Sequence, residues 1–249
     1  MKSCSTLKLL LVAIIGLFLS ACATRPIIDF SQPPNNKGKI LVVSKMPNEF
    51  HYFKVGTTVF QNQKYIFDIT SWNLNGYIED QISMSINDRF DVLIADEHQA
   101  SVVNDYGGIF KGYKIGLTPS FKEMIAKDAI DYVIFVQINE KGYEDIFHYT
   151  NQYIKAYGAY LRETYWTNDC YEYTNLVISV YHPQTGKELL SNPFWSLTDD
   201  NRFIEHQKCS FPWKANESEA RAQLPKLEPV IKKLLNKTIH RTISNFGMN

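Results

Sequence analysis

The chain has 249 residues, of which 26 are basic and 26 acidic, and 45% of the residues are hydrophobic. This hydrophobic content is enough for a sizeable core and argues against a largely disordered chain. The balanced charge lacks the basic excess that binding to a phosphate backbone requires, so nucleic acid is not expected as a partner.

The N-terminus has the order of a secretory signal. Lys2 and Lys8 precede an uncharged apolar run over residues 9–19, which is too short to cross a bilayer comfortably. The run ends in Leu19-Ser20-Ala21-Cys22, which resembles the lipobox of bacterial lipoproteins. We therefore predict a lipoprotein signal peptide over residues 1–21 and a covalent lipid on Cys22. The alternatives are an ordinary signal peptide or a short buried helix, with Cys22 present by chance.

The predicted anchor also indicates a location. In the lipoproteins that this motif resembles, an Asp after the cysteine is associated with inner-membrane retention, and this chain has Ala23. We expect an outer-membrane protein that faces the periplasm. Residues 22–37 contain several prolines and asparagines and are predicted to be a flexible tether, which spans at most roughly 50 Å when extended. Without residues 1–21, 24 basic and 26 acidic side chains remain, a formal net charge of −2.

The remaining residues, 38–249, are predicted to form a single periplasmic globular domain that starts as a βαβαβ unit. The continuously apolar run in residues 39–44 is typical of a strand covered on both faces. An amphipathic helix over residues 71–87 is predicted from apolar side chains at four-residue spacing, and a strand over 90–94 follows it. Ser120 and Glu123 have the spacing of a capping box, which predicts a second helix before a strand over 131–138.

The character of the sequence changes over residues 143–181, where aromatic side chains stand among polar neighbours. We interpret this region as long antiparallel strands. Exposed tyrosine and tryptophan are enriched at interfaces, so a protein-binding or glycan-binding surface is predicted here, with filling of the core as the alternative. The candidate interaction residues are Tyr153, Tyr157, Tyr160, Tyr165 and Trp166.

Apolar residues between positions 227 and 243 recur at helical spacing and predict a C-terminal helix that packs on the sheet. The predicted fold class is therefore α/β, of the mixed α+β kind. A mixed β-sheet is flanked by helices, and its βαβαβ start is followed by antiparallel strands and the C-terminal helix. No internal repeat is present.

The cysteines divide by location. Cys22 is the predicted lipid site, which leaves Cys170 and Cys209 in an oxidising compartment, where we predict that they form a disulfide. The alternative is a metal or redox site that includes His206, but a structural zinc site needs about four ligands and no further His or Cys stands at ligand spacing.

Three segments, taken in order, resemble a known group. They are residues 39–44 as first strand, residues 129–134 as the end of a helix followed by Asp-Tyr and a strand, and residues 180–190 as a strand, a Thr-Gly turn and a strand. Together with the lipid anchor they resemble envelope lipoproteins of the CsgG, LpoB and TolB N-terminal-like type. The resemblance implies a mixed sheet flanked by helices and a function by contact, in rings, pores, synthase activation or docking on envelope complexes.

No residue pattern identifies a reaction. The six histidines are scattered and form no metal-binding pair, and no nucleophile elbow, Walker loop or dinucleotide fingerprint is present. We therefore predict no catalytic residues, no metal site and no cofactor apart from the lipid. A periplasmic hydrolase that uses Asp199 or His206 is the weakest alternative.

The leading hypothesis is a non-enzymatic structural or assembly subunit of a multi-protein envelope complex, such as a secretion-system outer-membrane core. Its expected partners are other envelope proteins, in a ring-like or secretion-type assembly, and the membrane through the lipid. The second hypothesis is a regulatory binding module that contacts a cell-wall synthase or peptidoglycan.

The lipid anchor can be tested with Cys22→Ser. Because Cys22 precedes the predicted tether, we expect the variant to fold normally but to lose its membrane location. Fractionation of cells into membrane and soluble periplasmic pools measures the location of the variant, and thermal unfolding measures whether it is folded normally. Membrane retention of the variant, or full function of an unanchored form, would contradict an anchored role.

Overall fold

The computed structural model describes residues 30, 37–95, 102–105, 114–117, 119–138, 155–163, 165–166, 168–192, 204–210 and 216–248. Within these residues the strands are β1 (Gly38–Lys45), β2 (Glu49–Val55), β3 (Gln63–Asp68), β4 (Phe90–Ile94), β5 (Val102–Asp105), β6 (Lys114–Leu117), β7 (Tyr132–Ile138), β8 (Tyr157–Glu163), β9 (Asn168–Tyr181), β10 (Glu188–Ser191) and β11 (Ile204–Lys208). The α-helices are α1 (Leu74–Ile86), α2 (Pro119–Asp128) and α3 (Glu217–Asn245).

The main sheet is organised around β9, a strand of 14 residues. The first part of β9 lies between β8 and β11, and its last part lies between β7 and β10. The sheet therefore has two halves that share β9. We call β3, β2, β8, β9 and β11 the distal half, and β10, β9, β7, β1 and β4 the proximal half. Strands β5 and β6 form a separate antiparallel pair.

Strand β1 shows why the proximal half has two cores. It lies between β4 and β7 and is parallel to both. Ile40 and Val42 face the larger core against α1 and α3, whereas Leu41 and Val43 face the smaller core that contains Phe121 of α2. All four β1 side chains are at most 2% exposed. Continuous apolar sequence is what a strand covered on both faces requires.

Helix α1 packs as its four-residue spacing predicts, with Leu74, Ile78, Ile82 and Ile86 all buried. Helix α3 begins at Asn216, whose side chain caps the helix by accepting a hydrogen bond from the backbone N–H of Glu219 at 2.9 Å. Helix α3 is also linked to the sheet by ion pairs. The buried carboxylate of Glu205 in β11 accepts from Lys237 Nζ at 2.5 Å and from Arg241 Nη1 at 2.7 Å.

Phe30 joins the proximal half although it lies inside the predicted tether. Its ring is 5% exposed and packs edge-on against Tyr132, with centroids 5.0 Å apart, and against Phe90 at 6.2 Å. Arg89 donates to the carbonyls of both Phe30 and Gly247, the second at 2.6 Å. The globular structure therefore includes a residue eight positions before Gly38, and the chain enters it at the N-terminal ends of β1 and β4.

The predicted fold class is confirmed, since β1, α1, β4, α2 and β7 form the expected βαβαβ start and antiparallel strands and a C-terminal helix follow. The sequence analysis missed the strands β2, β3, β5, β6 and β11. The β2–β3 hairpin is inserted between β1 and α1, in a stretch for which the sequence predicted no strand.

The distal half is closed by the predicted disulfide. Cys170 in β9 and Cys209, just after β11, are bonded with their Cα atoms 5.2 Å apart, and Cys209 N donates to Cys170 O at 3.0 Å. Next to this link, the fully buried carboxylate of Glu172 accepts from the backbone N–H of Ser210 at 3.0 Å and from Gln207 Nε2 at 3.0 Å. The end of β11 is therefore fixed to β9 by a covalent bond and by charge-assisted hydrogen bonds.

The contribution of this disulfide can be measured with the double variant Cys170→Ser and Cys209→Ser. The two cysteines are 39 residues apart. Closing a loop of that size lowers the entropy of the unfolded chain, which raises the free energy of the unfolded state by about 3 to 4 kcal/mol. We expect the free energy of unfolding, from denaturant titration, to fall by that amount. Reduced wild-type protein is the control and should match the variant. Equal stability of the oxidised wild type and the variant would refute the prediction.

Candidate functional site

The five predicted interaction residues separate into buried and exposed ones. Tyr157 is 0% exposed and packs in the larger core, and burial raises the pKa of its phenol. Tyr160 is 3% exposed and packs with Phe53 and Tyr173. The prediction was wrong for these two tyrosines, because β8 is covered on both faces. Tyr153 lies outside the described residues.

Tyr165 and Trp166 are exposed, as the predicted surface requires. They lie in the connection between β8 and β9 and are 87% and 94% exposed. Side chains of this size cover a large contact area with few rotatable bonds, which is why tyrosine and tryptophan dominate binding energy at interfaces. They are the part of the aromatic region that is available for contact.

A third exposed aromatic side chain, Phe60, was missed by the sequence analysis. It lies in a short 3₁₀ turn, Val59–Gln61, between β2 and β3 and is 95% exposed. Phe60 and Val59 are an apolar pair in a stretch that otherwise contains glycine, threonine, glutamine and asparagine, and this pair was the available signal in the sequence. The relation of Phe60 to Tyr165 depends on strand pairing, which local sequence does not specify.

Strand pairing places these three residues at one end of the distal half. Strands β2 and β8 are neighbours and run parallel, with Val55 opposite Arg162 near their C-terminal ends. The loops that follow β2 and β8 therefore emerge side by side. We call Phe60, Tyr165 and Trp166 the aromatic tip. Strand β9 runs from this end to the end where Phe30 packs, a distance of about 45 Å for 14 residues of strand.

The aromatic tip is attached to braced backbone. Lys54 Nζ of β2 lies 2.5 Å from Glu163 Oε2 of β8 and links the two strands just below the loops. In the first loop, Gly56 N donates to Asn62 Oδ1 at 3.1 Å and Gln61 N donates to Thr58 O at 3.0 Å. The closed hydrogen bonding limits the conformations of the loop that carries Phe60.

The strands on either side of the second loop are linked near the loop. The disulfide partner Cys170 lies opposite Leu161, next to the same connection. Tyr165 and Trp166 therefore lie between two strands that are linked to their neighbours, β8 by the Lys54–Glu163 ion pair and β9 by the disulfide.

The groups that come nearest to acid–base chemistry are His51 and Glu49. Nε2 of His51 lies 3.1 Å from Glu49 Oε2, and the imidazole stacks on Phe53 with centroids 5.9 Å apart. The ring is 2% exposed, and its burial lowers the pKa of His51 below the ordinary value of 6.5, although Glu49 opposes the shift. Its enclosure identifies His51 as a packing residue of β2.

The other chemical candidates are not brought together. Asp199 lies outside the described residues, and His206 is on the surface of β11, edge-on to Tyr171 with centroids 5.5 Å apart. Cys209 is held in the disulfide and offers no thiolate to a metal. Among the described residues, no group of three or more His, Cys, Asp or Glu side chains is arranged to hold a metal ion. Cys22 also lies outside them.

Within the described ranges, no helix has the length and apolar character needed to cross a bilayer. No protein-family model and no curated protein sequence matches the chain. Among solved structures, the chain is similar to lipoprotein GNA1162 from Neisseria meningitidis and to the hypothetical protein CT253 from Chlamydia trachomatis. For the first, identity is 11%, coverage is 78% of this chain and 97% of that chain, and the TM-score is 0.30. For the second, identity is 11%, coverage is 85% of this chain and 96% of that chain, and the TM-score is 0.32. Likeness at these TM-scores carries no argument about function, and the resemblance to the CsgG, LpoB and TolB N-terminal-like group stays a prediction.

Proposed function

We propose that this protein is a lipid-anchored, non-enzymatic subunit of an envelope assembly at the outer membrane, such as a secretion-system core, and that the aromatic tip contacts its protein partner. The observation that carries the proposal is the exposure of Tyr165 and Trp166, at 87% and 94%, in the connection between β8 and β9. Exposing two such side chains to water is unfavourable, and a contact that buries them recovers that free energy.

The position of the tip favours a protein partner over the membrane that holds the anchor. The chain enters the globular structure at Phe30, on the proximal half, and the tip lies about 45 Å away at the other end of β9. A tether attached at the proximal end does not hold the distal end against lipid. This position favours contact with other proteins in the periplasm.

Bracing of the tip adds to this argument. Binding orders side chains and loops, which costs about 0.5 to 1.5 kcal/mol for each immobilised side chain. The Lys54–Glu163 ion pair joins the two strands below the tip, and the hydrogen bonds of Gly56 and Gln61 order the loop that carries Phe60 before any partner arrives. A smaller share of the binding energy is therefore lost to ordering.

The proposal is tested by the double variant Tyr165→Ser and Trp166→Ser. Truncation of an interface aromatic costs about 2 kcal/mol or more, and each 1.4 kcal/mol is a tenfold change in affinity. We therefore expect recovery of co-purifying envelope proteins from native membranes to fall at least about tenfold. Affinity purification with quantitative mass spectrometry gives the measurement.

Met84→Ser is the matched control. Met84 is also an exposed apolar residue, at 60%, but it lies on α1 away from the tip. We expect this variant to keep its partners, and both variants to keep the wild-type melting temperature because the changes are on the surface. Unchanged co-purification by the tip variant, or a wild-type protein that purifies alone, would refute the proposal. Loss of binding to isolated sacculi alone would favour the regulatory, peptidoglycan-binding alternative instead.

A further inference from the structure

The outer edge of the distal half is the strand β3. Among the described residues, β3 pairs with β2 and with no other strand. Lys64, Ile66 and Asp68 project from one face of β3 and all three are exposed, Ile66 at 49%. An exposed edge with an apolar residue at its centre is a template for pairing with another strand.

The backbone of β3 presents hydrogen-bonding groups at this edge. Ile69 N donates to Asn48 O across the β2–β3 pair at 3.0 Å. In an antiparallel pair, alternate residues direct their N–H and C=O groups to the same neighbour. Gln63, Tyr65 and Phe67 therefore bond to β2, and Lys64, Ile66 and Asp68 direct theirs outward.

The charges along β3 are arranged symmetrically about Ile66. Lys64 lies two residues before it and Asp68 lies two residues after it, on the same face. Asp68 is directly opposite Glu49 of β2, so two carboxylates are adjacent at this end of the strand. Like charges in a cross-strand pair are unfavourable, and a cation next to them would stabilise the edge.

We propose that two copies of this chain pair through β3, antiparallel and about a two-fold axis at Ile66. In this register Ile66 faces its counterpart, and each Lys64 faces Asp68 of the other copy. All outward backbone groups of the three residues find partners. On the other face of the sheet Tyr65 would lie opposite Phe67 of the other copy, whose ring is already buried in its own core, so the pairing rests on the backbone and on the face that carries Ile66. The interface is isologous, as a closed dimer requires.

The occupant is a second copy because β3 is complementary to itself. A slip of two residues in either direction places Ile66 opposite a charge, Lys64 or Asp68, and leaves the other charge without its partner. A shallow depression beside Ile66 is lined by Pro47, Asn48, Glu49 and Asp68. The incoming Lys64 of the second copy would lie over this depression, near both carboxylates.

The two-fold axis reverses strand direction between the copies. Each aromatic tip would therefore lie on the side of the axis where the proximal half of the other copy lies. Both lipid anchors would reach one membrane with the strands of the dimer running along its surface. The dimer does not depend on the tip, since β3 and the tip loops use different residues.

The register is tested by cysteine cross-linking of the full-length chain in native membranes. Ile66→Cys places two cysteines opposite each other at a Cα separation of about 5.5 Å, which a disulfide can span. Lys64→Cys is the matched control, because its two copies would lie at least about 14 Å apart along the strands. We expect a covalent dimer on non-reducing gels for the first variant only. Absence of that dimer, or equal cross-linking by Lys64→Cys, would overturn the proposal.

The charge complementarity is tested in the Ile66→Cys background. Adding Lys64→Asp places carboxylates opposite each other at both ends of the paired segment, and we expect cross-linking to fall by about fivefold. Lys64→Arg keeps the charge and should retain cross-linking. Equal cross-linking with aspartate and arginine would overturn the proposed register.

The same assay separates the dimer from the aromatic tip. The Tyr165→Ser and Trp166→Ser changes, added to Ile66→Cys, should leave cross-linking unchanged even where they abolish partner recovery. Cross-linking that falls together with partner recovery would contradict an interface confined to β3.

Discussion

The structure depends on one strand, β9, which is shared by the two halves of the main sheet. Its first part pairs with β8 and β11 and its last part pairs with β7 and β10. Because side chains alternate along a strand, a shift of one residue would move every buried side chain of β9 to the opposite face. Such a shift would misplace the cores of both halves at once. Asn175, where β9 passes from one set of neighbours to the other, is fully buried.

Helix α3 stabilises the shared arrangement because it contacts parts that are far apart in the sequence. Near its start, Arg221 lies over the ring of Phe67 in β3, with the guanidinium carbon 5.1 Å from the centroid. Further along, Lys237 and Arg241 bind the buried Glu205 of β11. Just after the helix, the Gly247 carbonyl accepts from Arg89. One helix therefore holds the edge strand, β11 and the proximal end in fixed relation.

Much of the proximal half is predictable because its signals are local. Strand β1 is continuously apolar and α1 has apolar side chains at four-residue spacing, and both patterns reflect burial by immediate neighbours. The distal half lacks such signals. His51 is buried in β2, and Glu205 is buried in β11, where its charge is balanced by α3 residues about thirty positions later. Burial of polar groups by distant partners cannot be deduced from a short window.

The candidate site was predictable only in part, for the same reason. An aromatic-rich region indicates either a core or a contact surface, and this chain uses it for both, with Tyr157 and Tyr160 inside and Tyr165 and Trp166 outside. The difference arises because Tyr157 and Tyr160 lie within β8, which is covered on both faces there, whereas Tyr165 and Trp166 lie beyond its end at Glu163. Phe60 joins the site through the parallel pairing of β2 with β8, a contact between segments about a hundred residues apart.

The disulfide between Cys170 and Cys209 also has a consequence for the order of events in the cell. Thiols stay reduced in the bacterial cytosol, and disulfides form after export. Under the export that the N-terminal signal predicts, a newly made chain would lack the covalent link beside the aromatic tip until it has crossed the inner membrane. Oxidation there would complete the distal half, so the surface that is proposed to bind a partner would mature only in the compartment where such a partner would be met.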